Sequence, residues 1–107
     1  MTFTDLNTLN THEIVKGFKG RFVHAKNMTA SFWHIEKGAI LPEHSHPEEQ
    51  ISLVTSGELE LTINGETRIV TPGKIAVIPP NVVHSGKALT YCEATDIFSP
   101  VREDYKF

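Results

Sequence analysis

Apolar side chains in this chain come in short bursts with a period of two, and turn residues interrupt the bursts about every eight to twelve positions. In 58–63, Leu59, Leu61 and Ile63 alternate with Glu58, Glu60 and Thr62, which predicts a strand with one face in a core and one in water. Asn64-Gly65 follows directly. Both residues tolerate positive φ, so the pair predicts a type I′ hairpin leading into 66–70. Further extended segments are predicted at 21–25, 29–36, 50–55, 67–70, 75–78 and 89–98, separated by Lys26-Asn27, Lys37-Gly38, Ser56-Gly57, Pro72-Gly73 and Pro79-Pro80-Asn81. No window sustains a helical period. The pattern predicts an all-β sandwich or barrel. Within it, Ile51-Ser52-Leu53-Val54 carries apolar groups on both faces, so a second sheet on one side and a further sheet or partner subunit on the other are expected to cover it.

Length and composition narrow this picture. A chain of 107 residues allows one domain, 1–107, and at this size roughly 65% of the unfolded chain's surface is buried on folding, enough for a core without staples. Thirteen acidic residues against ten basic ones leave a formal net charge of −3, which opposes nucleic-acid binding. Cys92 is the only cysteine, so an intrachain disulfide and a CxxC site are both excluded. No apolar run approaches the ~20 residues of a membrane span, and the polar start shows no leader pattern; a cytoplasmic protein is expected.

Chemistry concentrates in the histidines. His44-Ser45-His46 places two imidazoles on one face of an extended segment, the neutral nitrogen donors that suit a divalent ion. His84 stands beside the Pro-Pro-Asn turn. His12 and His24 lie far from this cluster and are read as solvated or structural. Parity leaves open whether His34 or Trp33 faces inward. Cys92 reads as a small buried hydrophobe, with no neighbouring base to activate it. Near the end, Asp96 and Phe98 share one face of a strand and Arg102 follows the turn at Pro100: a carboxylate, an aromatic wall and an anion-binding fork.

The spacing of these residues resembles the cupin superfamily. Gly38 is followed after five residues by His44-x-His46, then by Gln50 and Gly57, forming a first motif at 38–57. Gly73, Pro79, Asn81 and His84 form a second at 73–88. The resemblance implies a single-domain double-stranded β-helix, a conical barrel of two antiparallel sheets, with one divalent metal ion (Zn, Ni, Fe or Mn) held by His44, His46, Gln50 and His84. Three positions depart from the superfamily pattern: Gln50 stands where Glu is usual, Asn81 where Gly is usual, and Ala88 where Asn is usual. An amide ligand would leave more of the ion's charge uncompensated than a carboxylate. Gln50 hydrogen-bonding a histidine, with three imidazoles alone on the metal, and Glu48 as a competing ligand are the alternatives to direct ligation.

His44-Ser-His-Pro-x-Glu-Gln50, Pro79-Pro-Asn-Val-x-His84 and Asp96-x-Phe-x-Pro-x-Arg102-Glu-Asp104 together resemble the KdgF family of pectin-degradation cupins, in which the Gln ligand is usual. That resemblance implies an enzyme converting 4,5-unsaturated monouronates to linear 5-keto-4-deoxyuronates, with Asp96, Phe98 and Arg102 as active-site residues. It also implies a small-molecule sugar-acid substrate and a homodimer. A mononuclear metal dioxygenase and a non-catalytic small-ligand-binding cupin are the rival functions that one barrel can equally host.

Overall fold

The computed structural model describes residues 2–107. Ten strands form two antiparallel sheets: β1 (His12–Val15), β2 (Phe18–His24), β3 (Thr29–Ile35), β4 (Ile40–His44), β5 (Glu49–Ser56), β6 (Leu59–Ile63), β7 (Glu66–Val70), β8 (Ile75–Ile78), β9 (His84–Ala88) and β10 (Cys92–Ser99). The larger sheet runs β1-β2-β3-β10-β5-β8 and the smaller β4-β9-β6-β7. Short 3-10 turns at Leu6–Thr8 and Glu103–Tyr105 are the only helical pieces among the described residues. The chain crosses between the sheets after β3 and again after β4, β5, β7, β8 and β9, which wraps both around one interior.

The alternation in the sequence sets what faces inward. Leu59 and Leu61 of β6 are buried, and they meet Phe18, Trp33, Ile35, Val54, Val70, Ala88, Cys92 and Ala94 in one apolar cluster. Each such aliphatic side chain taken from water contributes about 1.5–3 kcal/mol. The β6–β7 hairpin turns at Asn64 (φ 49°) and Gly65 (φ 82°), the two left-handed residues that a type I′ turn requires. Gly57 has a stricter role. Its φ is +90°, and a Cβ there would strike the backbone carbonyl of Tyr91. The chain can pass from β5 to β6 at that point only as glycine.

β1, β4 and β9 were not legible as strands. β4 reads Ile-Leu-Pro-Glu-His, and its proline fits because β4 is an edge strand whose outer backbone groups need no partner. β9 reads His-Ser-Gly-Lys-Ala, with little intrinsic β preference; pairing to β4 and β6 on either side imposes its form. The predicted strand at 89–98 starts later, at Cys92, because Leu89 and Thr90 are spent on the turn in which the Leu89 amide donates to the Glu58 carbonyl at 3.0 Å.

β5 is covered on one face only. Gln50, Ser52 and Val54 point into the barrel and are buried, whereas Ile51 on the opposite face is 39% exposed. Its neighbours across the ladders, Val77 of β8 and Ile97 of β10, are also exposed.

Candidate functional site

Two ladders and the crossing segment between them assemble the site. In the smaller sheet, β4 pairs with β9 so that His44 lies directly opposite His84, with ring centroids 4.1 Å apart. Just past β4 the chain leaves that sheet. His46 sits in this crossing segment, its ring 4.9 Å from His84, and its carbonyl accepts the Asn81 amide at 2.8 Å. Asn81 adopts φ 62°, a left-handed position open to Asn as well as Gly, so the second turn motif is latched onto the first. In the larger sheet, β5 then delivers Gln50 opposite Phe98 of β10. Residues separated by 40 positions in sequence thus meet where the two sheets join.

Hydrogen bonding fixes what these side chains present. Each of the three imidazoles has Nδ1 against a backbone carbonyl: His44 to Pro42 at 2.8 Å, His46 to Glu48 at 2.9 Å and His84 to Val82 at 2.9 Å. A carbonyl only accepts, so each Nδ1 carries the proton and each Nε2 is a bare lone pair. Gln50 Oε1, another acceptor, stands 3.1 Å from His46 Nε2. His84 Nε2 is buried without a protein partner. One nitrogen from each of the three imidazoles falls within 4.8 Å of the others. Four converging acceptors with no donor among them are an arrangement that a divalent cation satisfies and a neutral core does not. Burial keeps the imidazoles ready for such a role: it lowers the pKa of His84 to about 4, the neighbouring His44 and His46 adding to the effect, and it lowers that of His46 as well, with help from Arg102.

Beside this cluster lies a small cavity of about 50 Å³, lined by His44, His84, Gln50, Ser52, Asp96, Phe98, Arg102, Trp33 and Tyr105 together with the apolar Leu59, Leu61 and Ile35. Asp96 lies between Ser31 of β3 and Ser52 of β5, so a polar row crosses the inner face of the larger sheet. Burial raises the Asp96 pKa to about 6, and the neighbouring donor groups of Ser52, Gln50 and Trp33, with the charge of Arg102, hold the rise in check. Its accessible area is intermediate because it faces the cavity rather than packed atoms.

Phe98 is 2% exposed and forms the cavity wall, its ring 5.7 Å from that of His46. Arg102 is buried, with its guanidinium 4.8 Å from the Phe98 centroid and 4.1 Å from that of Tyr105. Burial opposes its charge, but the Asp104 carboxylate outweighs that and raises its pKa. Nε and Nη2 grip Asp104 at 3.0 and 2.8 Å, and Glu48 Oε1 lies 3.4 Å from Nε. Glu48 therefore serves the arginine side of the site, with its Oε1 3.5 Å from His46 Nδ1, the nitrogen turned away from the cluster.

The structure thus brings His44, His46, Gln50, His84, Asp96, Phe98 and Arg102 to one place. Trp33 faces inward and His34 outward, where it bonds to Tyr91. His24 is tied to Thr29 and to the Tyr105 carbonyl, and His12 stacks on Phe107. Cys92 is buried, with Sγ donating to the Glu58 carbonyl at 3.2 Å. Sequence reasoning missed Tyr105, Ser52 and Asp104 as site residues and considered Glu48 only as a competing ligand, not as a partner of Arg102. For Ser52 a signal existed, since it shares the parity of Gln50 and Val54; for Tyr105 none did, because it lies beyond the last strand.

Residues 31–98 match the family model described as Cupin domain. The pectin degradation protein KdgF of Dickeya dadantii is 36% identical over 74 residues, 67% of this chain and 67% of that protein. The H2HPP isomerase of Bacillus subtilis is 49% identical over 45 residues, which are 41% of this chain but 19% of that one. Among solved structures, an RmlC-like cupin from Shewanella frigidimarina superposes with a TM-score of 0.92 at 28% identity, over 98% of this chain and 96% of the other. The structure of KdgF from Halomonas sp. superposes with a TM-score of 0.90 at 27% identity, over 97% of both chains.

Proposed function

This chain belongs to the cupin family and, within it, to the KdgF proteins, and from that premise we propose that it is a metal-dependent enzyme that opens and ketonises 4,5-unsaturated monouronates, giving linear 5-keto-4-deoxyuronates. The observation that carries this reading is the placement of a cavity-facing carboxylate, Asp96, with its pKa raised to about 6, and a buried arginine on the same cavity as four converging acceptors.

His44, His46, Gln50 and His84 would hold the ion, whose identity the donor set leaves open among Zn, Ni, Fe and Mn. Bound there, the cation would supply positive charge beside an oxyanion developing on the sugar. The remaining work falls to the chain. The substrate is a cyclic enol ether with a hemiacetal at C1. Asp96 takes the C1 hydroxyl proton; the C1–O bond to the ring oxygen breaks, leaving an aldehyde at C1 and an enolate across C4, C5 and the former ring oxygen. The proton held by Asp96 is returned to C4, which gives the C5 ketone, so the step balances as an isomerisation. A pKa of about 6 suits both halves: ionised at neutral pH, yet basic enough to take a proton and give it back. Arg102 binds the substrate carboxylate through the guanidinium hydrogens that Asp104 leaves free. Phe98 and Tyr105, whose rings meet edge to face, both lie against the guanidinium and limit its movement.

The KdgF relatives speak for a uronate, and the isomerase relative for proton relocation as the class of reaction. The exposed face bearing Ile51, Val77 and Ile97 supports a homodimer, the partner covering what the sequence pattern expects to be covered. The test is direct. Metal-loaded protein mixed with an unsaturated monouronate under anaerobic conditions should remove the conjugated-alkene absorbance faster than the spontaneous rate. No acceleration would overturn the reading, and acceleration only with oxygen would point to a dioxygenase.

A further inference from the structure

Gln50 is the one member of the cation cluster whose orientation no backbone carbonyl fixes, and its amide could turn either end toward the imidazoles. The surrounding hydrogens decide between them. Gln50 Nε2 donates to Ser52 Oγ at 2.9 Å. Ser52 lies directly across the ladder from Asp96 and already accepts from the Gln50 amide, so its single hydroxyl proton is left to turn toward the carboxylate side. The other nearby donor, the Trp33 indole, commits its hydrogen to Ser31 Oγ at 2.7 Å. Ser52 therefore faces Gln50 with lone pairs alone. A flipped amide would set its oxygen against the Ser52 lone pairs and the Asp96 carboxylate, and would aim its NH₂ at the cation position. Both changes are unfavourable, and both buried partners are left unsatisfied.

We propose that Ser52 is a positioning residue of the cation site: with Asp96 it holds the nitrogen end of Gln50 so that Oε1 faces the three imidazoles, and the Asp96 carboxylate is the reason that an amide, not a carboxylate, occupies position 50. A glutamate at 50 would offer the cation a better ligand but would lose both hydrogens now given to Ser52 and Asp96. It would also bring a second negative group against Asp96 inside a low-dielectric wall. Gln50 and Asp96 are thus one unit, an acceptor for the ion on one side and a satisfied carboxylate on the other. Ser52 is 4% exposed and is not one of the converging acceptors, so its influence on the cluster passes through its hydrogen bond with Gln50.

This inference rests on the reading of His44, His46, Gln50 and His84 as a cation site, and it is tested by cobalt(II) binding rather than by turnover. Cobalt(II) affinity is measured by chelator competition and ligand geometry by the visible absorption of the bound ion. Ser52→Ala should weaken affinity about 10- to 100-fold and alter the spectrum, while the urea midpoint stays close to wild type; Ser52→Thr, which restores the hydroxyl, should recover both. Gln50→Glu should weaken cobalt binding in the presence of Asp96 and strengthen it when combined with Asp96→Asn. Wild-type affinity and spectrum in Ser52→Ala, or an equal effect of Gln50→Glu in both backgrounds, would overturn the proposal alone. Failure of the wild-type protein to bind cobalt would remove the cation site and this inference with it.

Discussion

A histidine becomes a ligand when its other nitrogen is occupied, and here three backbone carbonyls, those of Pro42, Glu48 and Val82, do the occupying. The residue types and their spacing were legible because cation chemistry demands them. The choice of tautomer was not, since it depends on carbonyls that reach the rings only after β4 and β9 pair. Ser52 illustrates the same limit, being an unremarkable polar residue until its single proton is assigned. Asp96 carries the sharpest expectation at this scale. Asp96→Asn should lower kcat about 10²–10⁴-fold while cobalt or zinc still binds, and unchanged turnover would remove Asp96 from the mechanism. The pH dependence has a definite sign. In the proposed mechanism Asp96 acts as base only when ionised, so with its pKa raised to about 6 by burial, kcat/KM of the wild-type protein should fall tenfold per pH unit below that value, a limb absent from the residual activity of Asp96→Asn.

Among the elements, those with strong alternation announced themselves, and those that build the site did not. The β6–β7 hairpin could be read from Leu59-x-Leu61 and Asn64-Gly65 because local chemistry alone specifies it. β4 and β9, which carry His44 and His84, hold a proline, a glycine and charged residues, and their form comes from neighbours. The histidine cluster is therefore mounted on strands that tertiary pairing enforces, a local departure from propensity of the kind expected at functional sites. Gly57 tests how tightly the flanking turn is drawn. Gly57→Ala should cost about 1–3 kcal/mol, read as a lowered urea midpoint, because φ +90° and the Tyr91 carbonyl both resist a Cβ. An unchanged midpoint would mean that the turn can relax around the methyl group.

At the scale of the whole molecule, the barrel interior accounts for only half of the apolar pattern in the larger sheet. Ile51, Val77 and Ile97 make an outward patch continuous across three strands, with Ile75, 64% exposed, at its margin. Sequence parity could show that both faces of β5 are apolar; it could not show which lies inside. The larger sheet as a self-associating surface leads to a definite outcome: the wild-type protein should run at twice 11.9 kDa in light scattering, and Val77→Asp at the monomer mass with its far-UV spectrum intact. A monomeric wild type would leave that patch to another occupant. Among the described residues no helix is long and apolar enough to cross a membrane.

The donors on β4, β9 and the crossing segment belong to one sheet and its exit, and Gln50 belongs to the other. An ion gripped by all four would act as a rivet through the seam of the barrel. Anything that prefers the folded state stabilises it by RT ln(1 + [L]/Kd), so the melting point of this protein would double as a gauge of the free ion in its surroundings.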